Sequence, residues 1–238
     1  QVKVGLGIDI WNNPISGASY PIIGYKTYLC VMLLRVNDTN PDSKTLALIV
    51  NCLKNGGIII YPTDTVYALG CDITNTKAIE RICKLKNIKP EKSKFSFVCS
   101  DLSHLSEYTK PIPNHIFRVM KKALPGPYAF ILEASSNVPK IIKQERKTVG
   151  IRVPDNIICR EIINALGNPL ISTSLHDGDD SILEYFSDPE VIHAQYESKV
   201  DIVIDGVHGN IYPSTVIDCS KGEFEVVREG LGGLEILN

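Results

Sequence analysis

An α/β (α+β) domain on a mixed β-sheet is the architecture this chain predicts, on three observations. Short β-branched and aromatic runs bounded by Gly, Pro or polar residues recur along it, as in IIIY at 58–61 and VDIVIDG at 200–206. Between them lie segments with apolar residues at helical spacing, as in TKAIERICKL at 76–85. The two kinds of segment mix without a strict strand–helix–strand rhythm, and the last two runs, STVIDCS and FEVVREG, resemble a closing antiparallel pair.

The elements follow in order. Residues 1–31 differ from the rest: they hold Lys3, Asp9 and Lys26 as their charges, the single Trp11, and Gly or Pro at short intervals, with apolar pieces too broken for a signal-peptide core. They read as an atypical extension not native to the domain, the alternative being an arm packed on it. Met32 opens MLLRV, a first strand, and a single domain over 32–238. Apolar spacing from Thr45 to Leu53 predicts a helix ended by Gly56-Gly57. The buried strand 58–61 stops at Pro62, which lacks a backbone donor.

After the helix at 76–85 come a strand at Phe95–Cys99 and a helix in DLSHLSEY with Asp101 as its N-cap. His115–Ala123 is a basic helix stopped by LPGPY. AFILEA and TVGIRVP are strands. Asn156–Leu166 is a helix closed by Gly167, PLISTSL a strand, Asp188–Tyr196 a helix and VDIVIDG a strand.

Composition narrows the function classes. With 44% hydrophobic and 22% charged residues, the 238-residue chain has the make-up of a soluble globular protein. A net charge of −2 supplies no overall basic field for nucleic acid, so RNA contact would need a local patch. Seven scattered cysteines, none in a C-x-x-C pair, read as buried thiols of a reducing, cytoplasmic compartment. The dispersed histidines argue against zinc. No apolar run approaches the ~20 residues of a membrane helix.

Polar residues recur where strands end. Thr63, Asp64 and Thr65 follow the strand at 58–61. Thr148 and Arg152 flank VGI. Ser172, Thr173 and Ser174 end PLIS, Ser214 and Thr215 open VID, and Arg228 follows EVV. A lone hydroxyl at a strand end is commonly a cap or turn former. Five polar strand ends, two of them carrying arginines, suit a phosphate or carboxylate ligand instead. GxxxxGK[ST], GxGxxG and HExxH are all absent.

The motifs YPTDTVYALGCD, LPGPYAFILEA, VGIRVP, PLISTS and PSTVIDCS…VVREG, in that order over about residues 45 to 230, resemble the YrdC/Sua5 family. TVGIRVPD and KNIKPEKSKFSFVC look most like its YciO-type branch. The resemblance implies a twisted mixed sheet of the YrdC/RibB-like type, with flanking helices around a positively lined central cavity. It implies synthesis of threonylcarbamoyl-AMP and pyrophosphate from L-threonine, bicarbonate and ATP with Mg2+, a nucleotidyltransferase step toward N6-threonylcarbamoyladenosine in tRNA.

Family members are also described as double-stranded-RNA binders and translation factors. A non-catalytic RNA-binding, translation-associated module that keeps the fold and cavity is therefore the alternative. Carried over by position, Thr63, Arg152, Ser174 and Ser214 are substrate-binding, with Arg152 pairing with the threonine carboxylate. Lys86, Thr148, His176 and Arg228 are nucleotide-binding, and no protein metal ligand is implied.

Two departures fall on the nucleotide side. The K-x-R motif reads Lys86-Asn87-Ile88, and the S-x-N motif reads Ser174-Leu175-His176. Lys89 can replace the missing arginine only with a one-residue shift and a poorer bidentate clamp. Several residues have plainer readings. Asp64 is a turn former or a catalytic group, Tyr67 a cavity wall, and Lys86 part of a solvated lysine-rich face with Lys84, Lys89, Lys92 and Lys94. Arg118, Lys121 and Lys122 lie on an exposed basic helix. Asp177, Asp179 and Asp180 form an acidic loop, open to a magnesium role or none.

Overall fold

The computed structural model describes residues 31–103, 105–143, 147–175, 187–206 and 209–237. The first half contains β1 (Met32–Arg35), α1 (Ser43–Lys54), β2 (Ile59–Tyr61), β3 (Ala68–Asp72), α2 (Thr76–Leu85), β4 (Ser96–Val98), α3 (Leu105–Tyr108) and α4 (Asn114–Ala123). The second contains β5 (Tyr128–Glu133), α5 (Lys140–Lys143), β6 (Thr148–Arg152), α6 (Ile157–Leu166), β7 (Leu170–Ser174), α7 (Pro189–Gln195), β8 (Ile202–Asp205), β9 (Thr215–Asp218) and β10 (Glu225–Arg228). The expected extension lies outside the described residues except for Val31, which is buried in the core and accepts a contact from the His193 ring at its carbonyl.

Local chemistry sets the element ends. Asp42 accepts from the Lys44 and Thr45 amides and so starts α1 two residues before the apolar spacing does. Asn75 and Asn156 cap α2 and α6 in the same way. Gly167 closes α6 at φ +79°, a left-handed conformation that favours glycine. Asp101 departs from expectation. Its carboxylate binds the amide and hydroxyl of Ser103, forming a turn, and α3 begins only at Leu105.

The strands form one ten-stranded sheet among the described residues, in the order β1-β8-β2-β3-β7-β4-β6-β5-β9-β10. Parallel pairs (β1 with β8, β2 with β8, β4 with β6, β5 with β9) alternate with antiparallel ones, so the sheet is mixed as the sequence predicts. The closing β9–β10 pair is antiparallel, with a register shift between Val226 and Arg228.

One face carries Ile60, Leu69, Phe97, Phe130, Ile151 and Ile217. It is buried under the apolar sides of α2, α4 and α7. The other face is covered only in part. There α1 and α6 pack Ile49, Leu53, Ile158 and Ile162 onto Ile59, Tyr61, Leu170 and Val98. The rest of that face, across β7, β4, β6, β5 and β9, has no helix on it among the described residues and forms the floor of a cavity.

Period-two alternation decides which residues face this floor. In β6, Val149 and Ile151 enter the core, whereas Thr148, Gly150 and Arg152 turn to the open side. Gly150 is paired with Ser96 and Ser96 with Ser172, and Ser172 with Gly70, so one rung crosses four strands on small residues. Tyr61 lies over the Gly70 position and donates its hydroxyl to Ser172 Oγ at 2.7 Å. A Cβ at Gly70 would stand 2.9 Å from both the Ile171 carbonyl oxygen and the Tyr61 ring. Gly70→Ala is therefore expected to destabilise the fold by about 1–3 kcal/mol, the usual cost of overpacking. Urea denaturation followed by circular dichroism measures this, and an unchanged midpoint would contradict so close an approach.

Candidate functional site

The cavity on the open half of the sheet has a volume of about 570 Å³. It exists because the strand positions that face it are small. Ala68, Ser96, Ala129, Gly150, Ser172 and Ser174 leave the room that larger residues fill on the opposite face. Among the described residues lining it are three cationic side chains, Lys94, Arg152 and Arg228, and no Asp or Glu. Such a lining holds positive potential in a space partly shielded from water.

Arg152 ends β6 and is 8% exposed. Its Nη2 donates to Asp64 Oδ1 and to Thr65 Oγ1, both at 3.0 Å. Asp64 Oδ2 in turn accepts the Asp155 amide at 3.1 Å, three residues beyond Arg152. Arg152 Nε is buried and has no hydrogen-bond partner. An unpaired buried donor costs about 1–3 kcal/mol, a cost that an incoming acceptor offsets. Burial raises the Asp64 carboxyl above its ordinary pKa, outweighing the Arg152 charge that lowers it.

The Thr63–Thr65 turn is built to hold this arginine. Thr63 Oγ1 accepts the Thr65 amide at 3.0 Å and donates to the Val66 carbonyl at 2.8 Å. It also lies 3.1 Å from Thr65 Oγ1, which fixes the hydroxyl that receives Arg152. The turn reaches the far side of the cavity too, because the Thr65 carbonyl accepts the Asn210 amide at 2.9 Å. The chain then runs through Pro213 to Ser214, whose carbonyl accepts Arg228 Nε at 3.2 Å and Nη2 at 3.0 Å.

Of the expected site residues, Thr148, Arg152, Ser174, Ser214 and Arg228 meet at this cavity. Thr63 stands behind it, its hydroxyl committed to the turn. Lys86 is not among the lining residues, and its Nζ donates to the Leu175 carbonyl at 2.9 Å. His176 and the acidic loop 177–180 lie outside the described residues. Tyr67 is a core residue rather than a cavity wall, fully buried with the Gly209 backbone against its ring.

Lys94, Ser96 and Gly150 are cavity residues that strand-end reasoning misses, because the cavity runs along the sheet face and not only past its ends. The signal available was the small residue at every second position of neighbouring strands.

Most cysteines among the described residues are buried. Burial pushes the Cys99 and Cys219 thiols up to about 12 and Cys52 up to about 11, so none is a thiolate near neutral pH. No group of three or more His, Cys, Asp or Glu among the described residues is arranged to hold a metal. No helix among them is long and apolar enough to cross a membrane.

Comparison with known proteins agrees with the fold. The Sua5/YciO/YrdC family model, described as "Telomere recombination", matches residues 51–230. YciO of Escherichia coli K12 is 41% identical over 201 residues, spanning 84% of this chain and 96% of its own. The crystal structure of E. coli YciO superimposes with a TM-score of 0.79 at 39% identity, covering 87% of this chain and 100% of that one. A threonylcarbamoyl-AMP synthase from Pseudoalteromonas translucida is 27% identical over 186 residues, 76% of this chain and 97% of its own. P. abyssi Sua5, solved in complex with L-threonine, shares the fold with a TM-score of 0.76 at 24% identity, over 85% of this chain and 58% of that one. With its mixed sheet and half-covered face in place, the chain belongs to the Sua5/YciO/YrdC family, with YciO proteins among its relatives.

Proposed function

We propose that this protein forms threonylcarbamoyl-AMP or a closely related acyl adenylate from L-threonine, bicarbonate and ATP, for N6-threonylcarbamoyl modification of tRNA adenosine. The observation that carries the reading is Arg152: a buried guanidinium, anchored on one side and unpaired at Nε, in a cavity without acidic lining among the described residues. That arrangement suits the carboxylate of a small amino acid. The volume falls within the roughly 300–1,000 Å³ range of small-molecule sites. The relative named a threonylcarbamoyl-AMP synthase and the Sua5 complex with L-threonine support the same choice of substrate.

A double-stranded-RNA-binding role would draw on outward-facing cations. Arg152 is too deeply buried to meet a duplex phosphate, and the net charge of −2 opposes general RNA affinity.

The reaction needs no covalent enzyme intermediate. The threonine amine and bicarbonate give a carbamate and water. A carbamate oxygen attacks the α-phosphorus of ATP, and the bond to pyrophosphate breaks. Arg152 would fix the threonine carboxylate, with the Ser174 and Ser214 hydroxyls beside the substrate. Thr148 and Arg228 would face the nucleotide, and Lys86 and His176 are the remaining nucleotide-side candidates. Catalysis would come from positioning and positive potential. With no carboxylate on the described lining, a Mg2+ ion would be held by the ATP phosphates themselves and would neutralise their charge.

The direct test is pyrophosphate release that requires both L-threonine and bicarbonate. Arg152→Lys should weaken threonine binding by about 1–3 kcal/mol, because a point-charge ammonium lacks the planar fork that can face Asp64, Thr65 and a carboxylate in fixed directions. Unchanged threonine affinity in calorimetry would contradict the assignment.

A pH dependence follows from Asp64. Its raised pKa means that the carboxylate is neutralised at a higher pH than an ordinary aspartate, and its hold on Arg152 weakens there. Threonine keeps its carboxylate charge down to about pH 3.5. Threonine affinity is therefore expected to rise as pH falls through the Asp64 pKa, and Asp64→Asn should flatten that profile. Affinity that falls over the same interval in the wild type would contradict it.

A further inference from the structure

Lys94 stands two residues before Ser96, and the backbone is already extended at Ser93 (φ −66°, ψ 137°). A period of two then directs Lys94 and Ser96 to the same side of the sheet. Ser96 is paired with Gly150 on β6 and with Ser172 on β7. Carried back two residues, the same register sets Lys94 level with Thr148 on one side and Ser174 on the other. All three line the cavity. Lys94 is exposed and makes no hydrogen bond or ion pair among the described residues.

The two positions of the family's K-x-R motif are placed differently. Lys86 reaches the Leu175 carbonyl and is not among the lining residues, and Ile88 brings no charge.

We infer that Lys94 is the phosphate-binding cation of this cavity, in the role that the Lys86-Asn87-Ile88 motif does not fill. The inference rests on the reading that the cavity takes a nucleoside triphosphate, and it names the residue that meets its polyphosphate. An ammonium with three donors, on the same cavity side as the nucleotide-side Thr148, matches the oxygens of such a tail. Lys94 lies level with one end of β6 and Arg152 occupies the other, four residues or roughly 13 Å along the strand. The two cations thus enter from distinct backbone positions, and a change at Lys94 is expected to leave the anchoring of Arg152 by Asp64 and Thr65 intact.

The test is calorimetry on the full chain at fixed salt, with inorganic triphosphate, ATP and L-threonine as probes. Lys94→Ala should weaken triphosphate and ATP binding about tenfold or more, the scale of one lost charged contact. It should leave threonine affinity and the melting temperature unchanged. Lys94→Arg should retain most of the binding, and Lys86→Ala should cost less than Lys94→Ala. Unchanged triphosphate binding in Lys94→Ala, an equal or larger loss in Lys86→Ala, or no triphosphate binding by the wild type would each overturn the inference. Triphosphate binding that depends on Lys94, without threonine-dependent pyrophosphate release, would uphold it and overturn the adenylate reading.

Discussion

The buried guanidinium of Arg152 is the constraint around which the cavity is arranged. A charge taken this far from water needs a partner, and removing one member of such a pair typically costs about 3–5 kcal/mol. Asp64 and Thr65 supply that partner from the β2–β3 turn, while Arg152 arrives from β6, three strands away in the sheet order. The Asp64 contact to the Asp155 amide closes the loop from the other direction. The turn and the end of β6 are therefore fixed relative to each other by charge and hydrogen bonds, not by apolar packing. The printed anchors both fall on Nη2, and Nε is buried without a partner.

The half-covered sheet is what makes this arginine useful. Two helices, α1 and α6, bury one part of the face with large aliphatic side chains, and the remainder is left with glycine, alanine, serine and threonine. Those small residues cannot form a packed layer, so the space above them stays open. The opposite face, covered by α2, α4 and α7, carries the stability that the open face gives up. The cavity and the main packed core lie on the two sides of the same strands.

Polar anchoring extends from the turn to the rim. The Thr65 carbonyl holds Asn210, and the chain beyond it delivers Ser214 and the Arg228 contact. The Thr63–Thr65 turn and the Ser214–Arg228 rim of the cavity are thus linked through backbone carbonyls that accept hydrogen bonds. Of the two departures from the family motifs, the one within the described residues lies outside this network: Ile88 is exposed and is not among the cavity-lining residues. Loss of the motif's arginine charge at Ile88 leaves the Arg152 anchor untouched.

Local chemistry in the sequence settled the elements. Gly167 as a helix end, the helical spacing of α2 and the β-branched strands all act over a few residues and were legible as such. The order of motifs also made the family legible, together with Arg152, Ser174, Ser214, Thr148 and Arg228 as cavity residues. Other assignments depended on contacts between distant strands. Asp101 serves its own turn rather than a helix. Thr63 supports the turn from behind, Tyr67 is buried, and Lys94 faces the cavity. Sequence spacing states which residues share one strand face. Which face the helices leave open is set by the register of ten strands and the packing of α1 and α6, and only the tertiary structure decides it.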